Sequence, residues 1–570
     1  MSWQKKYGSV EQIFHTMILI VGGLIFFVLM AVVTFPSWTL IKTSFTANQQ
    51  FTIQNYVELL SQRNTYIVLL NSLFVSLLGA AGATIIGVFV AWLIARTDIP
   101  SKKMWQTLLI IPYLIPPFIG SIAWVYLLGP VGYINKIWME LTGSLQPLFV
   151  IYGKWGVVLV MVIYSYPIAY MINLGPLRQM NPSLEEAARI SGASMRRTVL
   201  DILLPLMLPS IGGSFLLIFM SLIGNFGIPA VIGFPDRFYV MTTQIYLTIL
   251  NYDNPNNLTL SASFSMLLVL IAVFMMLLQR FLAKGKSFAI ISGKSVQSEI
   301  IDLGKWRIPA VTFLSLLVLI TVIIPMFSIL LTGLTKVAGL SLSLENLTIR
   351  NFIQVLFEIP KTTRAVLNSF RLAVSSASLI VLISLVISYM LVRLRIKGGQ
   401  IIEALVLLPY AVPGIVVALA LILAFLNPLP LINISIYNTI WILLVAYLTR
   451  FLVLGVRSIS SAFEQLHVSL EEAARISGAN FLTTIKDIVI PLIKTNVFAG
   501  WFLAFIPALT ELNLSILLFS VSNETIGVVV YGLHQEGKVL LTAALAFSVT
   551  LFILIVNYAT NRITKNQIGF

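Results

Sequence analysis

Twelve stretches of about twenty or more mostly apolar residues run through this chain, and no other feature restricts its fold so tightly. They lie at 15–40, 68–95, 106–128, 151–175, 206–233 and 259–283, then at 308–334, 366–392, 401–426, 438–458, 493–519 and 541–561. A helix needs roughly 20 such residues to cross the hydrocarbon core. Inside lipid, every backbone N–H and C=O must find its partner within the protein, which favours helices. The predicted class is therefore an all-α polytopic membrane protein with about 12 transmembrane helices. The first stretch follows Lys5 and Lys6, as in a signal peptide. Its apolar run is too long for an h-region and no small-x-small site follows it, so it reads as a membrane helix.

Charge agrees with that class and orients it. Asp, Glu, Lys and Arg make up 10% of the 570 residues, against about 25% in soluble domains. The net charge of +15 would suggest nucleic acid in a soluble chain. Here its distribution points to lipid instead, because Lys and Arg accumulate in cytoplasmic segments. With both termini cytoplasmic, 25 of the 36 basic residues fall inside, among them Arg96, Arg178, Arg393 and Arg457. Arg450, within the tenth stretch, is expected to snorkel toward the cytoplasm. There is no cysteine, which excludes disulfides, thiolate metal sites and cysteine nucleophiles. The histidines are His15, His467 and His534, in three topological settings, so no metal site is expected.

The chain is a tandem duplication. Leu184–Ala193 reads LEEAARISGA and Leu470–Ala479 repeats it, 286 residues later. Over 184–206 and 470–492, fifteen of 23 positions are identical. Upstream, Asn71-Ser72 answers Asn368-Ser369 and Pro112-Tyr113 answers Pro409-Tyr410, both at an offset of 297. The change of offset gives the first half 11 extra residues, expected around Gly132–Lys154. The predicted division is a first repeat at 1–290, a linker at 291–307 and a second repeat at 308–570. Repeats of equal orientation pack about a pseudo-two-fold axis along the membrane normal, with a cavity between them as the natural substrate path.

The most faithful part of the repeat lies between membrane stretches, at 181–205 and 467–491. Ser183 and Ser469 are N-cap candidates, with Glu186 and Glu472 three residues on, as in a capping box. Ala187, Ala188 and Ser191, like Ala473, Ala474 and Ser477, offer a small-residue surface to another backbone. Gly192 and Gly478 suit a left-handed helix terminus. A second amphipathic stretch then stops at Pro205 or Pro491. The element predicted is helix–Gly–helix on the cytoplasmic surface, present twice.

Glu-Glu-Ala-Ala, then Gly after three residues, then Pro-Leu some 12 residues later, resembles the EAA motif of binding-protein-dependent ABC importer permeases. The resemblance covers essentially the whole chain and is most similar to the ferric-iron importer group, with thiamine and aminoalkylphosphonate importers as relatives. It implies that Glu185, Glu186, Ala187, Ala188 and Gly192, and Glu471, Glu472, Ala473, Ala474 and Gly478, form coupling helices. Each would sit in a groove of one of two ABC ATPase subunits, with an extracytoplasmic substrate-binding protein on the other side. The ATP chemistry would then belong to a separate chain. In agreement, the two Gly-Lys-Ser runs at Gly285 and Gly293 lack the earlier glycine of a phosphate loop, with Arg280 and Phe288 in its place. They read as part of a basic tether, and no catalytic residue or cofactor is expected in this chain.

Ionisable groups inside spans are functional candidates. Glu511, in ALTELNLSILL, and its counterpart Asn225, in SLIGNFGIPAV, are expected to face the path between the halves. The competing reading is that Glu511 lies near the outer end of its helix and reaches water or a neighbouring amide. Pro112, Pro116, Pro117, Pro409 and Pro413 are expected to break helices at the cavity, or else to be ordinary kinks. A secondary transporter also uses 6 + 6 repeats. It would need several ion-coupling groups, and it leaves the doubled motif unexplained.

Overall fold

The computed structural model describes residues 2–47, 50–180, 187–188, 190–283, 300–337, 343–428, 433 and 435–563. In the first half these form α1 (Ser2–Ser44), α2 (Arg63–Arg96), α3 (Lys102–Leu114), α4 (Pro117–Leu128), α5 (Tyr133–Thr142) and α6 (Lys154–Gln179). They continue as α7 (Val199–Ile223), α8 (Met241–Ile249) and α9 (Asn257–Ala283). The second half comprises α10 (Gly304–Gly333), α11 (Pro360–Arg393), α12 (Gly399–Ala411), α13 (Gly414–Phe425) and α14 (Ile440–Gln465). It ends with α15 (Val468–Ile476), α16 (Ile485–Leu509), α17 (Ser515–Leu518), α18 (Ile526–Gln535) and α19 (Val539–Ile563). Ten of these helices and the α4–α5 segment Pro117–Thr142 are long and apolar enough to cross a membrane, and α12 with α13, bent by 108°, makes a twelfth span.

Lipid supplies no hydrophobic drive between helices, so close packing at small residues holds them together. At Gly87 in α2 an added Cβ would fall 2.5 Å from the Tyr166 carbonyl oxygen and 2.6 Å from Ala169 Cβ, both in α6. In the second half the glycine is on the other helix: a Cβ at Gly455 of α14 would meet Ile380 and Ser384 of α11 at 2.6 Å.

The first helix of each repeat packs on the other repeat. Phe35 of α1 meets Phe425 of α13 edge-to-face at 6.2 Å, and Gly22 makes room for Met390. Reciprocally, Phe313 of α10 packs on Phe89, and Ser328 Oγ donates to the Ala123 carbonyl at 3.2 Å. The end of each of these two helices, α1 and α10, is held by one asparagine. Asn55 Nδ2 donates to the Ser44 and Thr46 carbonyls (3.0 and 3.1 Å), and Asn351 Nδ2 donates to those of Gly333 and Thr335 (2.9 and 2.7 Å).

The Asn-Ser pairs of the sequence repeat are likewise structural. Ser72 Oγ accepts the first N–H of α8 from Met241 at 2.7 Å, while Asn71 Nδ2 donates to the Tyr239 carbonyl at 2.9 Å. Ser369 Oγ accepts from Ile526 at the start of α18 at 2.8 Å, and Asn368 Nδ2 donates to the Ser522 carbonyl at 2.9 Å. Orphan donors at a helix start are satisfied in this way by a neighbouring element.

Several expectations need correction. The third stretch of each half is broken, at Ile115–Pro116 and at Val412–Pro413, whereas Pro112 and Pro409 lie within α3 and α12. In the first half the long apolar segment is Pro117–Thr142 rather than 106–128. The fifth and eleventh stretches end as helices at Ile223 and Leu509, short of 233 and 519. The amphipathic stretch after the motif does not stop at Pro205 or Pro491. A π turn, Val199–Leu203 or Ile485–Val489, leads straight into the membrane helix and places each proline in its first turn. A proline within a continuous helix removes one backbone donor, and the π turn lies directly before it in both copies. The end of the linker is no free tether either. Ile301 pairs with Thr97, Leu303 N–H donates to Asp98 Oδ1 at 3.0 Å, and Arg307 forms an ion pair with Asp98. Those hydrogen bonds, the Leu303 amide first, hold the Asp98 carboxyl below the usual range despite the opposing effect of desolvation. The two Gly-Lys-Ser runs lie outside the described residues.

Candidate functional site

A cavity of about 270 Å³ lies between the repeats. The broken helices supply Tyr113, Pro116 and Pro117 from one half and Tyr410 from the other. Tyr164 and Ser165 of α6, Phe451 of α14 and Phe502 of α16 continue the wall, and Asn225 and Thr510 sit where α7 and α16 end. The lining is aromatic and aliphatic with scattered hydroxyls and amides. Among the described residues that line it there is no carboxylate, imidazole or amine. Among the described residues no three His, Cys, Asp or Glu side chains cluster as a metal site.

Asn225 lines this cavity and Glu511 does not. Glu511 lies just past the end of α16, buried, and its carboxylate accepts the N–H groups of Leu514 (2.8 Å) and Ser515 (3.0 Å) and the Ser515 hydroxyl (3.1 Å). It caps α17, so its charge is spent on backbone donors. Asn225 does the same at the equivalent place, its Oδ1 accepting from Ile228 N–H at 3.0 Å. Two residues beyond Glu511, Asn513 reaches across the halves to accept the Phe226 N–H at 3.2 Å. Asn513 thus ties the two re-entrant turns together, a role its isolated position in the sequence did not reveal.

Arg450 does not snorkel. Its guanidinium donates to the Pro409 carbonyl at 2.8 Å and to that of Val412, and lies 5.4 Å from the Tyr410 ring centre. The reason is legible once the break is known. The helical donor to the Pro409 carbonyl would be residue 413, a proline without N–H. Arg450 supplies that donor from the neighbouring helix.

The second copy of the motif forms a short helix, α15, and both copies end at a glycine. Gly192 and Gly478 are left-handed, at φ 81° and 87°. Ala193 N–H donates to Ala188 O at 2.9 Å, and Ala479 N–H to Ala474 O at 3.0 Å, the Schellman arrangement. Ser469 lies inside α15, not at its N-cap, and its hydroxyl pairs with His467 Nδ1 at 2.8 Å. Glu472 and Ala473 are exposed, whereas Glu471 and Ala474 are buried. In the first copy Ala187 and Ala188 are described, while Ser183, Glu185 and Glu186 lie outside the described residues. What protrudes in both copies is an isoleucine that motif reasoning passed over. Ile190 and Ile476, 286 apart, are each 89% exposed.

The two copies of the motif thus share an exposed isoleucine and a left-handed glycine terminus. The pattern of binding-protein-dependent transport system inner membrane components matches residues 83–287 and 380–567. The chain belongs to that family. It is a transmembrane permease subunit of an ABC importer, a multi-pass inner-membrane transport component and not a catalytic enzyme. It is 27% identical over 517 residues to a ferric transport system permease protein of Actinobacillus pleuropneumoniae, covering 89% of this chain and 72% of that one. A putative ferric transport system permease protein of Haemophilus influenzae is 27% identical over 501 residues, covering 86% and 76%. Among solved structures, a bacterial alginate ABC transporter chain is 17% identical with a TM-score of 0.40, covering 49% of this chain and 96% of that one.

Proposed function

We propose that this permease carries ferric iron, delivered by an extracytoplasmic binding protein and driven by two ATPase subunits that dock on the two copies of the motif. The observation that carries the mechanism is the doubled helix–Gly–helix element with its matched isoleucines. In this reading the motif face and both termini are cytoplasmic. Residues 1–290 and 308–570 act as two half-channels, joined by 291–307. Closure of the ATPases draws the coupling elements together, and the packed halves rearrange to open the cavity outward, as a bistable element biased by its partners.

Iron is supported by the ferric relatives, which align over most of their length. The cavity fits a conduit rather than a storage site. Its phenols, hydroxyls and amides offer oxygen to a passing hard cation without a carboxylate cage that would retain it. Uptake of radiolabelled ferric iron, thiamine and an aminoalkylphosphonate by a strain deleted for this chain, with and without its restoration, tests the assignment. Restored uptake of iron alone supports it. Restoration of another substrate in its place overturns iron and leaves the importer reading standing.

A further inference from the structure

The two glutamates of the second motif face different ways. Glu472 is exposed, whereas the Glu471 side chain is 7% exposed and its Oε1 lies 3.0 Å from Arg393 Nε. Arg393, itself 10% exposed, is the last residue of α11. The same guanidinium donates from Nη2 to the Leu466 carbonyl at 2.9 Å and sits 5.6 Å from the Phe463 ring centre. One side chain thus joins the end of α11 to the end of α14 and to α15. Burial makes the pair demanding: removing either partner strands a charge, which penalises the structure far more than breaking a surface pair.

The far end of α11 is equally committed. Arg364 forms an ion pair with Glu524 at 3.2 Å, and Asn368 and Ser369 hold the segment that starts α18. A single helix therefore connects the motif to the segment that starts α18. The equivalent of Arg393 in the first repeat, 297 residues earlier, is Arg96, which is fully buried at the end of α2.

We infer that Arg393 and Glu471 are positioning residues, the joint through which the coupling helix α15 moves α11, and that Glu471 makes no contact with the ATPase. This rests on the importer reading and deepens it by dividing the motif: Glu472 and Ile476 bind the partner, Glu471 transmits its movement. Physical coupling of this kind needs a contiguous element whose equilibrium both ends bias, and α11 with its two anchored ends is such an element.

The test uses the full chain co-expressed with the importer's ATPase and binding protein. Glu471→Gln and Arg393→Gln are each expected to retain the ATPase within about twofold of wild type, while uptake falls at least tenfold. ATP hydrolysis should also stop responding to loaded binding protein. The exchange Arg393→Glu with Glu471→Arg is expected to recover part of that response, which a general loss of packing would not do. Ile476→Asp should instead release the ATPase. Because the chain has no cysteine, Glu471→Cys should react with a membrane-impermeant maleimide at least tenfold more slowly than Glu472→Cys, whether or not the ion-pair variants fold. Equal labelling, or loss of the ATPase in Glu471→Gln alone, overturns the inference. A wild-type chain that retains no ATPase overturns the importer reading instead.

Discussion

Asn225 and Glu511, 286 residues apart, perform one task in the two repeats: each side chain accepts the backbone N–H three residues on, from Ile228 at 3.0 Å and Leu514 at 2.8 Å. The duplication has kept the cap and changed its chemistry, an amide in one half and a carboxylate in the other. A buried carboxylate is tolerated because three donors converge on it, the Leu514 and Ser515 N–H groups and the Ser515 hydroxyl.

Glu511→Ala should therefore act on stability before transport. Loss of an N-terminal cap costs about 0.5–2 kcal/mol, and thermal unfolding of the detergent-solubilised protein should report it. Glu511→Gln keeps an acceptor and should lie between wild type and Ala while still supporting uptake. A Gln variant as stable as wild type yet inactive would return the charge to the transport path.

Arg450 makes a sharper prediction, because its role follows from a proline. Arg450→Met leaves the Pro409 and Val412 carbonyls without their donor, at about 1–3 kcal/mol for each buried group left unpaired. The melting temperature of Arg450→Met should fall accordingly, and that of Arg450→Lys, which keeps an N–H donor, should fall less. Equal losses in the two variants would argue against the carbonyl contacts.

The contact at Gly87 tolerates no side chain. The nearest atoms are the Tyr166 carbonyl oxygen, the Ala169 Cβ and the Tyr170 nitrogen in α6, none of which can swing aside. Gly87→Val should cost about 1–3 kcal/mol or more by overpacking and reduce the monodisperse fraction in fluorescence-detected size exclusion. Gly212→Ala, which meets nothing within 4 Å, is the matched control.

Acid should loosen the opposite face. Burial works against ionisation of Glu524, but the Arg364 guanidinium outweighs it and holds the carboxyl below its ordinary 4.5. A depressed folded value stabilises fully above the unfolded one and is lost as pH falls through the folded value. The melting temperature of wild type should thus drop on acidification below about pH 4.5. Glu524→Gln should start lower and lose less over the same range.

The sequence made the duplication, the helix class and the glycine-terminated motif legible, since these rest on identity, span length and a φ that glycine favours. It could not separate Glu471 from Glu472. Adjacent identical residues acquire opposite roles only when the helix phase and Arg393 are known. Nor did it reveal that α16 ends at Leu509, because the apolar run continues through the re-entrant turn and α17 (Thr510–Leu518). Arg450 was misread for want of one step: the four-residue spacing of Pro409 and Pro413 already announced a carbonyl without its helical donor.

On the proposed reading, ferric iron crosses this permease only when ATPase subunits grip both copies of the motif. ATP-driven uptake of ferric iron into proteoliposomes holding the complete transporter, with Ile190→Asp and Ile476→Asp combined, tests it most directly. Wild type should accumulate iron only with ATP and loaded binding protein on their proper sides, and the double variant should retain less than about a tenth of that rate. Iron entry that ignores ATP, or a double variant that transports like wild type, would contradict the account.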